Sequence, residues 1–95
     1  MAKYECMVIV NPRLSEEERN TNLAELQAIL EKGEAKVEKQ DVWGEKKMAY
    51  QLNKSDTGFY VLYHLELPGE NITTISKEIN LNRNIWRYMF VKQEA

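Results

Sequence analysis

Of the 95 residues, one is cysteine (Cys6) and one is histidine (His64). A lone thiol rules out an intramolecular disulfide and a Cys-x-x-Cys pair, and with one imidazole beside it there is no Cys/His cage for zinc. Cys6 lies in an apolar run and reads as a small buried hydrophobe rather than a reactive nucleophile. His64 has no nucleophile motif near it, so general-base catalysis lacks its partner residue. Two prolines and four glycines leave no linker-like stretch that would divide the chain, so residues 1–95 are expected to form one domain. No apolar run approaches the roughly 18 to 20 residues of a membrane span. The start, Met1-Ala2-Lys3 followed by a strand-like run, lacks the apolar stretch and small-residue cleavage site of a signal peptide, so the expected location is the cytoplasm, away from membranes. A strong excess of one charge is also missing. Thirteen basic residues face fifteen acidic ones, a net charge of −2. Any anionic partner must therefore be met by a local cluster of Lys and Arg.

What the chain does contain is regular patterning. Tyr4 to Val10 is almost wholly apolar and β-prone, and Asn11-Pro12 stops it, which predicts a first strand. Ser15-Glu16-Glu17-Glu18 forms a capping box with three carboxylates at the positive end of a helix. Leu23, Leu26, Ile29 and Leu30 then share one helical face as far as Lys32, and Gly33 is suited to a left-handed closing position, so a helix is expected from about Ser15 to Lys32. From Ala35 the period changes to two. The alternation is interrupted at Trp43-Gly44 and resumes at Met48, Tyr50 and Leu52, which predicts one long strand bent by a bulge near Gly44. Asn53 to Gly58 reads as a turn, Phe59 to Leu67 as the second arm of a hairpin, Ile72, Ile75 and Ile79 as a short helix, and Ile85 to Val91 as the last strand. The order β-α-β-β-α-β is that of the ferredoxin-like α+β sandwich, in which two helices cover one face of a four-stranded antiparallel sheet.

The other face of such a sheet is open, and strand parity indicates what it carries. Tyr4, Cys6, Val8 and Val10 form the more apolar set of the first strand, and Phe59, Val61, Tyr63, Leu65 and Leu67 that of the third; both sets belong under the helices. On the last strand Ile85, Tyr88 and Phe90 point inward, which requires an irregularity between Ile85 and Tyr88. The outward remainder is Met7, Ile9, Tyr60, Leu62, Met89 and Val91 around His64, a candidate protein-binding patch.

Charge is segregated as well. Ser15 to Glu34 holds six Glu against Arg19 and Lys32, whereas Ile79 to Gln93 holds Arg83, Arg87 and Lys92 and no acid. With Lys3, Lys46 and Lys47, these cations could gather near the strand ends beside Trp43 or Trp86 and bind phosphates. Two more specific motifs fail. Thr57 to Tyr63 loosely echoes the aromatic strand of an RNA-recognition motif, but Phe59 falls in the inward set and no basic residue leads it. Val10-Asn11-Pro12-Arg13-Leu14 lacks the glycines of an anion-wrapping loop, so Arg13 does not read as the phosphate cradle of an acylphosphatase.

The chain resembles the bacterial small-subunit ribosomal protein S6 family. The resemblance rests on Tyr4 to Pro12, on Gly44-Glu45-Lys46-Lys47-Met48-Ala49-Tyr50-Gln51-Leu52, on Gly58-Phe59-Tyr60 and on Leu81 to Met89. The central segment is the most specific, close to a Gly-x-basic-x-Leu-Ala-Tyr-x-Ile pattern, with Met48 and Leu52 as mild apolar exchanges. The resemblance implies the ferredoxin-like fold and a non-catalytic role without cofactor or small-molecule substrate: binding small-subunit ribosomal RNA as a heterodimer with ribosomal protein S18. Position suggests Lys3, Arg87 and Lys92 as RNA contacts, with Lys46 and Lys47 next, and Met7, Ile9, Tyr60, Leu62, His64, Met89 and Val91 as the partner surface. The competing expectation is a free-standing regulatory or ligand-binding domain of the same fold that dimerises through its open face.

Overall fold

A computed structural model describes residues 2–93. The elements run β1 (Ala2–Val10), α1 (Glu16–Lys32), β2 (Lys36–Leu52), β3 (Ser55–Leu67), α2 (Ile72–Ile79) and β4 (Ile85–Lys92), with a short 3₁₀ turn, Gly69–Asn71, leading into α2. The strands form one antiparallel sheet in the order β2-β3-β1-β4, which is the ferredoxin-like α+β arrangement. Both helices lie on one face. Leu23, Leu26 and Leu30 of α1 and Ile75 and Ile79 of α2 share a single core with Cys6, Val8 and Val10 of β1, Val61, Tyr63, Leu65 and Leu67 of β3, and Ile85. These are the residues that alternation assigns inward, because burying one set of every strand removes the most apolar surface from water.

Local chemistry fixes the ends of α1. The Ser15 hydroxyl accepts from the Glu18 amide, and the Glu18 carboxylate accepts from the Ser15 amide. Hydrogen bonds from the Ser15 amide and then the Ser15 side chain hold the Glu18 carboxyl below its ordinary pKa, so the carboxylate's part of the cap is complete above the usual Glu range and disappears as pH falls through the lowered value. The C-terminus differs from expectation. Gly33 has φ −83°, and Glu34 takes the left-handed conformation, with φ 66°. Gly33 is required for a different reason: a side chain there would strike Ile75, which is buried where α2 crosses α1. The hairpin differs too. Asn53 and Lys54, with φ 49° and 63°, make a two-residue turn of the mirror-image type, and Leu52 pairs with Ser55. β3 therefore begins at Ser55 rather than Phe59. Ser55, Asp56, Thr57 and Gly58 have turn-like composition, and pairing with β2 overrides it.

Four irregularities shape the sheet, the first at Glu38, the extra residue between the Val37–Leu65 and Lys39–His64 pairs. Trp43 is the extra residue of a bulge between the Val42–Val61 and Gly44–Tyr60 pairs, with Gly44 at φ 85°, as the sequence predicts. Four residues of β2, Met48 to Gln51, face the single Asp56 between the Lys47–Thr57 and Leu52–Ser55 pairs. On β4, Ile9 pairs with Arg87 and Val10 with Ile85, so Trp86 is the extra residue that lets Ile85, Tyr88 and Phe90 all turn inward.

Cys6 has no solvent exposure, and burial pushes its thiol up to about 12. The native protein is expected to resist a disulfide-exchange reagent at pH 8 and to react stoichiometrically after denaturation. Rapid labelling of the folded chain would contradict that burial.

Candidate functional site

The residues that do not go under the helices define the opposite surface. Register places Met7 against Leu62 on one side and Met89 on the other, and Ile9 against Tyr60 and Arg87. Met7, Ile9, Tyr60, Arg87 and Met89 line a shallow groove of about 490 Å³ together with Tyr50 and Tyr88. Met89 is 61% exposed and Val91 46%. Of the residues expected to form the partner surface, Met7, Ile9, Tyr60 and Met89 thus come together, with Leu62 beside Met7.

His64 sits differently. It lies among polar groups: its Nε2 is 3.1 Å from an Asp41 carboxylate oxygen on β2, and its Nδ1 is 3.5 Å from the Glu5 carboxylate on β1. Lys39 reaches the other Asp41 oxygen at 3.6 Å, and Gln93 donates to Glu5 at 2.9 Å. The open face is therefore an apolar groove at one end and a charged network across three strands at the other.

Sequence reasoning left Tyr50 and Met48 out of this surface. The four-against-one bulge carries the end of β2 over the open face. Met48 is buried outside the main core, above Gly58 and beside Ile9. The Tyr50 hydroxyl meets the Arg87 guanidinium, which also lies 5.2 Å from the Tyr50 ring centre. The signal for this was the run Lys47 to Leu52, too long to match a short hairpin arm. Gly58 makes the packing possible: a Cβ there would come within 2.5 Å of Ile9 and 3.4 Å of the Met48 sulfur.

The cations expected to gather do not form one cluster. Tyr4 pairs with Lys92 and the Gln93 amide donates to Lys3 carbonyl oxygen, so Lys3 and Lys92 occupy one end of the sheet. Lys46 and Lys47 pair with Gly58 and Thr57, and Arg87 with Ile9, at the other end. Six residues of β1 separate the two groups, about 20 Å at the usual rise of a strand. Lys3 and Lys36 moreover flank Glu66 from the two neighbouring strands.

A family model for ribosomal protein S6 matches residues 3–92. The chain belongs to the ribosomal protein S6 family. It is 37% identical to the small ribosomal subunit protein bS6 of Fusobacterium nucleatum over 94 residues, covering 99% of this chain and 100% of that one. Against bS6 of Clostridium acetobutylicum the identity is 32%, with 99% of each chain covered. Crystalline 30S ribosomal protein S6 of Thermotoga maritima superposes with a TM-score of 0.90 at 26% identity, over 97% of this chain and 87% of that chain. The C-terminal domain of MgtC from Mycobacterium tuberculosis, at 12% identity and a TM-score of 0.64 over 99% of this chain and 89% of that chain, shares the fold alone. S6-family membership makes this a small-subunit ribosomal protein, of a class that is structural rather than enzymatic.

Gly58→Ala is expected to cost about 1–3 kcal/mol, because the branched Ile9 side chain must move to admit the methyl group. Chemical denaturation measures this directly; an unchanged midpoint would mean that the groove floor is loosely packed.

Proposed function

We propose that the protein is a non-catalytic component of the small ribosomal subunit in the cytoplasm that binds small-subunit ribosomal RNA as a heterodimer with ribosomal protein S18. The observation that carries this reading is the uncovered apolar groove. One sheet face is sealed by two helices, while the other leaves Met7, Ile9, Tyr60 and Met89 around a cavity rimmed by Arg87 and Tyr50. An apolar surface of this kind on a small chain marks a protein contact. Net charge supports the pairing. At −2 the chain has no overall attraction for a polyanion, and a basic partner on the groove would add the missing positive charge. S6-family membership and the superposition on a 30S ribosomal protein support the ribosomal setting. Neither a cofactor nor a small-molecule substrate enters this reading.

Leu62 and Met89 stand on the groove side without belonging to the core. Replacing both by Ala is expected to weaken S18 capture about ten-fold or more, with the circular-dichroism spectrum unchanged. Unaltered capture would remove the partner from this face. Native protein should also sediment with small subunits at moderate salt. A stable homodimer that stays in the supernatant would instead indicate a free-standing domain that self-associates through the groove.

A further inference from the structure

The end of the sheet where β1 stops and β3 and β4 begin carries a series of cation contacts that meets the partner groove only at Arg87 and Tyr50. Arg13, just after β1, donates to the Asn53 carbonyl oxygen at 3.4 Å, beside Lys54 at the hairpin tip. The same guanidinium lies 5.8 Å from the centre of the Trp86 ring. Arg87 follows Trp86 and meets Tyr50 of β2. Farther along the hairpin, Lys46 lies 5.8 Å from the ring centre of Trp43. Trp43 is 48% exposed because the bulge ejects it from the β2 ladder at an outer strand. Lys54 takes the left-handed conformation in the two-residue turn at the hairpin tip, next to the Asn53 carbonyl that Arg13 reaches.

Of the cations, Lys54 and Lys46 make no ion pair among the described residues, and neither do Arg13, Lys47 and Arg87. The acids on the same hairpin segment are Glu45 and Asp56, and Glu16 and Glu17 of α1 bound the strip on the helix side. Charge and aromatic surface are thus interleaved along one edge, which suits a strand that presents both phosphates and base faces. A protein partner would leave the unpaired cations to be matched one by one with carboxylates, whereas a nucleic-acid backbone supplies regularly spaced charge.

We infer that ribosomal RNA lies along this hairpin end, with phosphates against Arg13, Lys54, Lys46 and Lys47 and an unpaired base stacked on Trp43, while Lys3 and Lys92 at the opposite end make no RNA contact. The inference rests on the RNA-binding reading above and adds which end of the molecule meets the RNA. The phosphate contacts position the chain, and the stacked base contributes affinity with little sequence preference.

The test uses the full chain with S18 and a transcript of the small-subunit RNA central domain. Binding is measured over a salt series for wild type, for Arg13→Gln with Lys54→Asn, and for Lys3→Gln with Lys92→Gln. Asn at position 54 retains a residue that tolerates the left-handed conformation. The hairpin-end pair should weaken binding and lower the slope of log K against log salt by about two, and the opposite-end pair should leave the slope unchanged. Trp43→Ala should reduce affinity about ten-fold, and in a Trp86→Phe background the remaining tryptophan fluorescence should be quenched on RNA addition but not on S18 addition alone. A slope lowered by the Lys3/Lys92 pair instead, or Trp43 emission that responds to S18 alone, overturns the assignment. If wild type with S18 does not bind the transcript at all, it is the RNA-binding reading that fails.

Discussion

The central pair of strands governs everything else in this molecule. β1 and β3 run antiparallel over nine residue pairs, Ala2–Leu67 to Val10–Phe59, without a register break. Cys6, Val8 and Val10 on one strand and Val61, Tyr63 and Leu65 on the other are at most 1% exposed. A slip of one residue would carry Glu5, His64 and Glu66 under the helices and turn this core outward, at the cost of buried charge as well as lost apolar burial. That penalty holds the register, and the register in turn decides which side chains share the open face.

Irregularity then differentiates a face that alternation alone would leave uniform. Three of the four departures from the ladder lie toward the same end of the sheet: Trp43 in β2, Trp86 in β4, and Met48 to Gln51 near the hairpin tip. Each ejects or redirects aromatic or long apolar side chains. Gly44 and Gly58 accommodate two of these departures for unlike reasons. Gly44 supplies a positive φ with open space around it, whereas Gly58 leaves room for Ile9 and Met48. At the opposite end the one break is at Glu38 of β2, between the Val37–Leu65 and Lys39–His64 pairs, and the surface is a lattice of alternating charge, with Lys3, Glu66 and Lys36 side by side and His64 between Glu5 and Asp41.

Much of this was legible in the sequence because it depends on neighbours a few residues away. The capping box of Ser15 and Glu18, the bulge at Gly44 and the inward parity of Tyr63 and Val8 all follow from local period and residue type. What escaped depends on contacts across the fold. Ser55 to Gly58 has the composition of a turn, yet β2 supplies the ladder that extends it. Gly33 looks like a helix terminator, and its actual constraint is Ile75, forty-two positions away. Tyr50 falls in the alternating run, but its place opposite Arg87 depends on a bulge of four residues against one. Whether Lys3 lies near Lys46 was undecidable from spacing, because the answer requires knowing that β1 is central and which way β2 runs.

Segregation of charge explains how a nearly neutral chain can serve a polyanion. A uniform distribution of 13 cations and 15 anions would leave no region of favourable potential. Here the acids concentrate on α1, where Glu16, Glu17 and Glu18 complement the helix dipole and gain a structural role there. β4, with Arg87 and Lys92 and no acid, is thereby left unopposed, whereas the β2–β3 hairpin balances five Lys with five acids and holds its basic excess only near the tip, where Lys46, Lys47 and Lys54 stand against Glu45 and Asp56. Arg87 stands at the seam, lining the apolar groove while contacting Tyr50 beside the basic strip. A partner seated in the groove would exclude water from that guanidinium and strengthen its field toward the hairpin end. In the proposed complex, protein docking on one surface and phosphate attraction on the next would then be coupled through a single shared side chain, and the low total charge would limit nonspecific RNA binding by the chain alone.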